Sequence, residues 1–414
     1  MRRERIVDVL VVGAGPAGLA AAAVLASLGA GEIEVLDREP RAGGMPRHCH
    51  HGGFGPLGLE GPGFAERWVR AAERSGAVLR TGVTVTNWAG PLTLDTTSPR
   101  GLERITARAV VLATGARERP RAARLVPGAR PAGVLTTGEF LRAVHVHRQR
   151  VGTRAVVVGA ESVSFAALDA LRLAGVDVAA LVTEHPRHQT SPVRALDARL
   201  RRGVPLLTGA TVTELLGRGR VSGVRLAHRD GRTAHVPCDT VVFTGDFVPE
   251  HELARRGGLL LDPGTRGPAI DGAFRTARRG VFAVGNLLHA VEPARAVARE
   301  GAAAGTAVRR YLADGDWPSA SVPLRVAAPL VWVAPNLVTP DEPLPYGGRF
   351  ALRTAEFVGR APLVITQDGR TLHHARLPRP PVPNRPFHIG GEWAARVRAD
   401  GGPVRVDLFE GAPG

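Results

Sequence analysis

Two groups of residues near the start of the chain have types and spacing suited to chemistry. The first is Gly13, Gly15 and Gly18 in the order G-x-G-x-x-G, with Asp37 downstream. Gly13 suits a tight turn, Gly15 lacks the Cβ that would block a pyrophosphate, and Gly18 lets a helix pack on its strand. An acid about two dozen positions after the first glycine is placed to accept ribose hydroxyls. The second group is Arg47-His48-Cys49-His50-His51, bracketed by Gly43-Gly44 and Gly52-Gly53. Neighbouring residues on a strand point to opposite faces, so they seldom share one ion. Zinc-type spacings are absent and no metal is expected. Proton transfer suits these histidines. Cys49 is a minor nucleophile candidate between them, and Arg47 a candidate for holding a carboxylate.

The elements needed to position these groups are present. Val7 to Val12 is a short apolar, β-branched run, expected as a buried parallel strand. Pro16, Ala17 and Gly18 open an Ala- and Leu-rich helix to about Leu28, whose N-terminus favours phosphate. Ile33 to Leu36 is a second strand ending at Asp37 and Arg38. Strand, glycines, helix, strand and acid together predict a dinucleotide site. A helix near Phe64 to Ser75 and strands at 78–88, 92–96 and 102–109 follow, and a run ending in Ala113-Thr114-Gly115 fits a turn against the dinucleotide.

The βαβ pattern starts again at Arg154 and runs to Glu184, an internal repeat. Its chemistry differs, because Glu161 stands where the first unit has Gly15, and Ser164 where it has Gly18. A glutamate there opposes pyrophosphate by bulk and charge, so this second nucleotide site reads as impaired and NAD(P) is disfavoured. His185 and His188 are assigned to a loop. A strand at 239–243, a strand at 280–284 ending in Gly285-Asn286, and a helix beginning near Val291 and Glu292 come next. Beyond residue 322, short strands alternate with Pro and Gly, and Asp368-Gly369 marks a hairpin.

Composition limits the alternatives. The chain has 414 residues and a net charge of +16, carried by 54 basic residues that are all arginine. They are scattered, without an aromatic-rich basic stripe, and nucleic-acid binding is not expected. Residues 9–31 carry no charge, but the embedded Gly-x-Gly-Pro turn argues against a transmembrane segment or signal peptide. A cytoplasmic location is expected. Cys49 and Cys238 are the only cysteines, which excludes a disulfide framework and a four-cysteine cluster.

GAGPAG, Asp37, Gly43-Gly44, Ala113-Thr114-Gly115, the inserted second βαβ unit and GVFAVGN at 280–286 together resemble the two-dinucleotide-binding-domain FAD oxidoreductases of the glutathione and thioredoxin reductase superfamily. Within it, GGMPRHCHHGGFG, ATGARERPR, VVVGAESVSF, VTEHPRHQ and GNLLHAVE resemble most the FAD subunits of the hydrogen cyanide synthase, opine oxidase and dye-linked proline dehydrogenase group. The resemblance implies FAD on Gly13, Gly15, Pro16, Ala17 and Gly18, with Asp37 and Arg38 at the ribose end. Gly43, Gly44, Ala113, Thr114, Gly115, Gly285, Asn286, Val291 and Glu292 would line the cofactor. Relatives usually carry Asp where Asn286 stands, and an amide can still bond a hydroxyl. The resemblance also places the His-rich segment beside the isoalloxazine, making His50, His51 and His48 catalytic candidates. His289 and Glu292 either face the site or form an exposed helix start.

The expected architecture is α/β: an FAD-binding Rossmann-like domain (1–149 and 239–315), an inserted NAD(P)-binding-like domain (150–238) and a small C-terminal all-β domain (322–414). The expected activity is oxidation of an amine, amino acid or imino acid by hydride transfer to flavin. The alternatives are an NAD(P)H-dependent flavin reductase and a non-catalytic electron-transfer subunit. Disulfide reduction is expected to be excluded, because the superfamily's reductases need a cysteine pair close in sequence. The relatives' C-terminal iron–sulfur module is replaced here by the cysteine-free β region. Expected partners are a small-molecule substrate, a second flavoprotein or electron-acceptor subunit, or another copy of the chain.

Overall fold

The computed structural model describes residues 2–200, 202–340, 342 and 344–409. The chain divides into two compact units, Met1–Pro46 with Gly63–Ala116 and Pro249–Gly414, and Arg47–Pro62 with Arg117–Val248.

The first unit is built on a seven-stranded sheet. Its order is Val78–Thr81, Ile33–Asp37, Arg3–Val12, Gly101–Leu112, Thr93–Ser98 and Thr84–Gly90, with Val281–Ala283 also pairing on Gly101–Leu112. Val9, Leu10 and Val11 are fully buried in its parallel centre, as a β-branched apolar run requires. The helix Pro16–Ser27 starts with proline, whose fixed φ suits the first turn. It packs against the helix Ala294–Asp314. A Cβ on Gly301 would lie 2.0 Å from the Ala17 carbonyl oxygen, so only glycine permits this approach.

Three expectations change in this unit. The strand expected at 78–88 is broken at Gly82 (φ +68°). Val78–Thr81 joins the parallel core, and Thr84–Gly90 joins the antiparallel meander. The two runs expected at 102–109 and 109–113 form one strand, Gly101–Leu112. The last helix begins at Ala294 rather than near Val291, with Pro293 as its N-cap.

The C-terminal region of this unit is all β. One sheet runs Leu337–Val338, Val322–Val326, Val404–Leu408, Pro362–Gln367 and Arg370–Arg376; the other runs Leu330–Ala334, Arg349–Thr354 and Phe387–Gly390. They enclose a separate core that includes Leu352, Leu363, Ile365, Trp393 and Val406. Asp368 and Gly369 both have positive φ (48° and 79°), as a two-residue hairpin turn demands.

The second unit has a parallel sheet in the order Leu206–Leu207, Asp177–Val182, Arg154–Val158, Thr240–Phe243 and Val134–Thr136. A three-stranded antiparallel sheet, Ala210–Leu216, Gly223–His228 and Thr233–Pro237, accompanies it. Thr240–Phe243, expected in the first domain, pairs here with Arg154–Val158. Asp239 secures that junction by accepting from the amides of Thr153 and Arg154 and the hydroxyls of Thr153 and Thr240. Desolvation opposes its charge, but these donors outweigh it and bring the carboxyl down from 3.8 to about 2. A carboxyl held below its unfolded value stabilises the fold above pH 4, and that stability is lost as pH falls towards 2. Asp239→Asn is therefore expected to cost roughly 1–2 kcal/mol at pH 7, discounted for its partial exposure. Urea melts should show a difference between variant and wild type that narrows by pH 3.

Candidate functional site

The glycine turn of the first unit lies at the end of Arg3–Val12. Gly13 has φ +110°, and a Cβ there would come 2.3 Å from the Ala113 oxygen. A Cβ on Gly18 would lie 2.0 Å from the Gly13 oxygen. Gly15 is different, because a Cβ there meets nothing within 4 Å. Packing therefore explains Gly13 and Gly18, while Gly15 faces open space as a phosphate cradle does. The helix behind it has no side-chain cap and no acid in its first turn, so its N-terminal amides remain available to an anion.

Asp37 does more than its position in sequence implied. Its Oδ2 accepts from the Ala14 amide at 2.7 Å and its Oδ1 from the Glu39 amide at 2.8 Å. Burial pushes its carboxyl above the ordinary value, against the pull of those amides. Arg38 reaches Glu250 at 3.2 Å, and the Thr114 hydroxyl donates to the Glu250 carbonyl at 2.8 Å. The Gly43 amide donates to the Ala14 carbonyl, and a Cβ on Gly44 would lie 2.9 Å from the Gly15 Cα. Gly285 abuts Ala17, whose Cβ would be 2.7 Å from a side chain there. Gly13, Gly15, Pro16, Ala17, Gly18, Asp37, Gly43, Gly44, Ala113 and Gly285 thus share one neighbourhood. Asn286 has its Oδ1 occupied by the Glu292 amide at 2.7 Å. Val291 precedes the helix instead of starting it.

The second glycine turn is filled. Glu161 is buried at the N-cap of the helix Ser162–Leu173. Its Oε2 accepts from the Ala160 amide at 3.0 Å, and its Oε1 is buried with no hydrogen-bond partner among the described residues. A Cβ on Gly245 would approach that Oε1 at 3.1 Å. Ser164 is held by the Thr244 hydroxyl at 2.6 Å.

Arg47–Pro62 belongs to the second unit, and the histidines are described there. His48 and Cys49 are buried, and the Cys49 thiol is pushed up to about 12 by burial first and Glu118 second. That holds it protonated and removes it as a nucleophile near neutral pH. Arg47 is half-buried. His50 stacks on His145, centroids 4.3 Å apart, and His51 Nδ1 lies 2.8 Å from the Gly52 carbonyl. Burial lowers His145, and His50 and His51 add to the effect. His145 was missed from sequence, because the Thr137–His145 helix brings it in from nearly a hundred positions away. Among the described residues, no cluster of His, Cys, Asp and Glu is arranged to hold a metal ion.

His289 is buried and the Glu292 side chain is only 8% exposed, which overturns the exposed-helix-start alternative. Around them stand Glu300, Trp332 and Arg353, none of them singled out from the sequence.

The chain matches the family described as pyridine nucleotide-disulphide oxidoreductase over residues 7–302. It belongs to that family. It is 28% identical to an opine oxidase subunit of Rhizobium meliloti, over 67% of this chain and 58% of that protein. It is 30% identical to the alpha subunit of sarcosine oxidase from Corynebacterium sp., over 81% of this chain but 36% of that one. A ferredoxin–NADP reductase of Ignicoccus hospitalis is 26% identical over 75% of this chain and 99% of its own length. The chain thus spans about three-fifths of the opine oxidase protein. In fold it is similar to T. acidophilum thioredoxin reductase (TM-score 0.62, 22% identity, 74% of this chain and 98% of that one). It is also similar to L-proline dehydrogenase from P. horikoshii (TM-score 0.59, 18% identity, 76% and 57%).

These findings correct one expectation. The exclusion of disulfide reduction, argued from cysteine spacing, does not stand. Thioredoxin reductases are among the neighbours in fold, and a ferredoxin–NADP reductase matches over nearly its whole length. Reductases therefore share this fold, and one of them is similar to the chain in sequence along nearly its whole length. Among the described residues, no helix is long and apolar enough to cross a membrane.

Proposed function

We propose that this protein is an FAD-dependent oxidoreductase acting on an amine, amino acid or imino acid. The observation that carries the cofactor assignment is the contrast between its two glycine turns. The first is open above Gly15, and the second is closed by the Glu161 carboxylate. Gly13, Gly15, Gly18 and the helix N-terminus would hold the FAD pyrophosphate, and Asp37 fixes the loop that presents them. Bound FAD supplies an acceptor for hydride from a substrate C–H bond. The names of the opine oxidase and sarcosine oxidase relatives support an amine-type substrate. Both are subunits by name, which supports a partner subunit for this chain. His50 and His51 remain candidates to take a substrate proton.

A second reading, an NAD(P)H-dependent reductase, is favoured by the ferredoxin–NADP reductase relative. Anaerobic mixing separates the two, followed by flavin absorbance near ~450 nm. Bleaching by one class of amine or imino acid, with none by NADH or NADPH, is the expected result. Rapid bleaching by NAD(P)H would overturn it in favour of the reductase.

A further inference from the structure

In the first unit, five buried side-chain polar atoms gather in one place with no hydrogen-bond partner among the described residues. They are His289 Nδ1, Glu292 Oε1, Glu300 Oε2, and Arg353 Nε and Nη2. Native interiors rarely leave such atoms unsatisfied, and clusters of them mark places built for something other than packing. His289 stands between two carboxylates: its Nδ1 is 3.6 Å from Glu292 Oε1, and its Nε2 is 3.8 Å from Glu300 Oε1. Arg353 Nη2 is 3.5 Å from the same Glu292 oxygen, while its Nη1 donates to the Ala290 carbonyl at 2.7 Å. The Trp332 indole carries both cationic groups, the His289 ring at 5.0 Å and the Arg353 guanidinium at 5.0 Å.

One bond ties this group to the turn beside the first glycine helix: Asn286 accepts from the Glu292 amide at 2.7 Å. Arg353 and Trp332 come from the C-terminal strands Arg349–Thr354 and Leu330–Ala334, far from this turn in sequence. Burial pushes His289 down, but Glu292 and Glu300 reverse that and hold it above its ordinary value, favouring the imidazolium. Burial pushes the Glu300 carboxyl above its ordinary value, while Arg353 and His289 face the Glu292 carboxylate in a dry space, where a change of one charge is poorly screened.

We propose that the C-terminal β strands act as an electrostatic clamp on the Gly285–Asn286 turn. Arg353 is the positioning residue: it fixes Glu292 and His289, and so sets the reduction potential of the FAD that this turn faces. The proposal rests on reading the first glycine turn as the FAD site. Removing the guanidinium takes one positive charge out of this buried group. The local potential becomes more negative, and a flavin that gains electron density there is harder to reduce.

The test is the two-electron midpoint potential of the bound flavin in the full-length holoprotein, with flavin content and melting temperature measured alongside. Arg353→Met is expected to shift the oxidised-to-reduced ratio at least tenfold towards oxidised, about 30 mV for a two-electron couple. Flavin content should stay near that of wild type. Arg353→Lys keeps the charge and should recover the ratio to within about threefold, while Arg370→Ala, on the exposed hairpin, should not move it. Should Arg353→Met fail to fold, His289→Gln removes a positive charge from the same group and should shift the ratio in the same direction. A role in packing alone would lower the melting temperature and leave the potential unmoved. A ratio within twofold of wild type in folded Arg353→Met, or in His289→Gln, would overturn the clamp. A wild-type protein that takes up no FAD would overturn the cofactor reading, and the clamp with it.

Discussion

Gly15→Val is expected to give a folded protein that holds no flavin. The Gly15 backbone, at φ −81°, suits any residue, and a Cβ there touches nothing within 4 Å. The valine methyls therefore enter the space left for the pyrophosphate and leave the protein's own packing alone. Affinity for FAD should fall roughly a hundredfold or more, about 2.8 kcal/mol. The melting temperature of the flavin-free protein should stay within about 2 °C of flavin-free wild type. Gly18→Ala is the contrast, since its Cβ would press on the Gly13 oxygen at 2.0 Å and strain the fold itself. Wild-type flavin content in Gly15→Val would show that the open space is not where the cofactor lies.

Glu161→Gly should make the second unit able to take a nicotinamide dinucleotide. Its carboxylate now sits at the helix N-terminus where a phosphate would bind, and its Oε1 has no hydrogen-bond partner among the described residues. A phosphate charge about 4 Å from a carboxylate is opposed by roughly 4 kcal/mol at an effective dielectric of 20. That corresponds to about a thousandfold in Kd. The measurement is titration of NADH fluorescence against wild type and variant. Tight NADH binding by wild type would sink the view that Glu161 closes this turn.

What could be read from the sequence was local. The glycine spacing, the alternation of strand and helix, and the Asp368-Gly369 hairpin depend on a few neighbouring residues, and they appear where the pattern puts them. The break at Gly82 escaped, because 78–88 is apolar enough for one strand and only the competing partners, Ile33–Asp37 and Thr93–Ser98, divide it. Thr240–Phe243 was placed with the first domain but pairs with Arg154–Val158, since a four-residue apolar strand carries no mark of its neighbour. The packing of Arg47–Pro62 with the second unit depends on contacts such as His50 on His145, which no spacing rule encodes. Arg353 was one arginine among many. Only its burial beside Glu292 and Trp332 distinguishes it.

The seam between the helices Pro16–Ser27 and Ala294–Asp314 has a consequence for how the protein is made. The face of the first helix that carries Ala17, Ala21 and Val24 is covered by Gly301 and Gly305. The ribosome reaches those glycines about 280 residues later, which at ordinary elongation rates is roughly 15–60 s. Through that interval the nascent chain carries an uncovered alanine-rich surface directly behind its cofactor turn. FAD is therefore expected to join only after residue 305 has emerged, and chaperone occupancy should peak before residue 301 emerges.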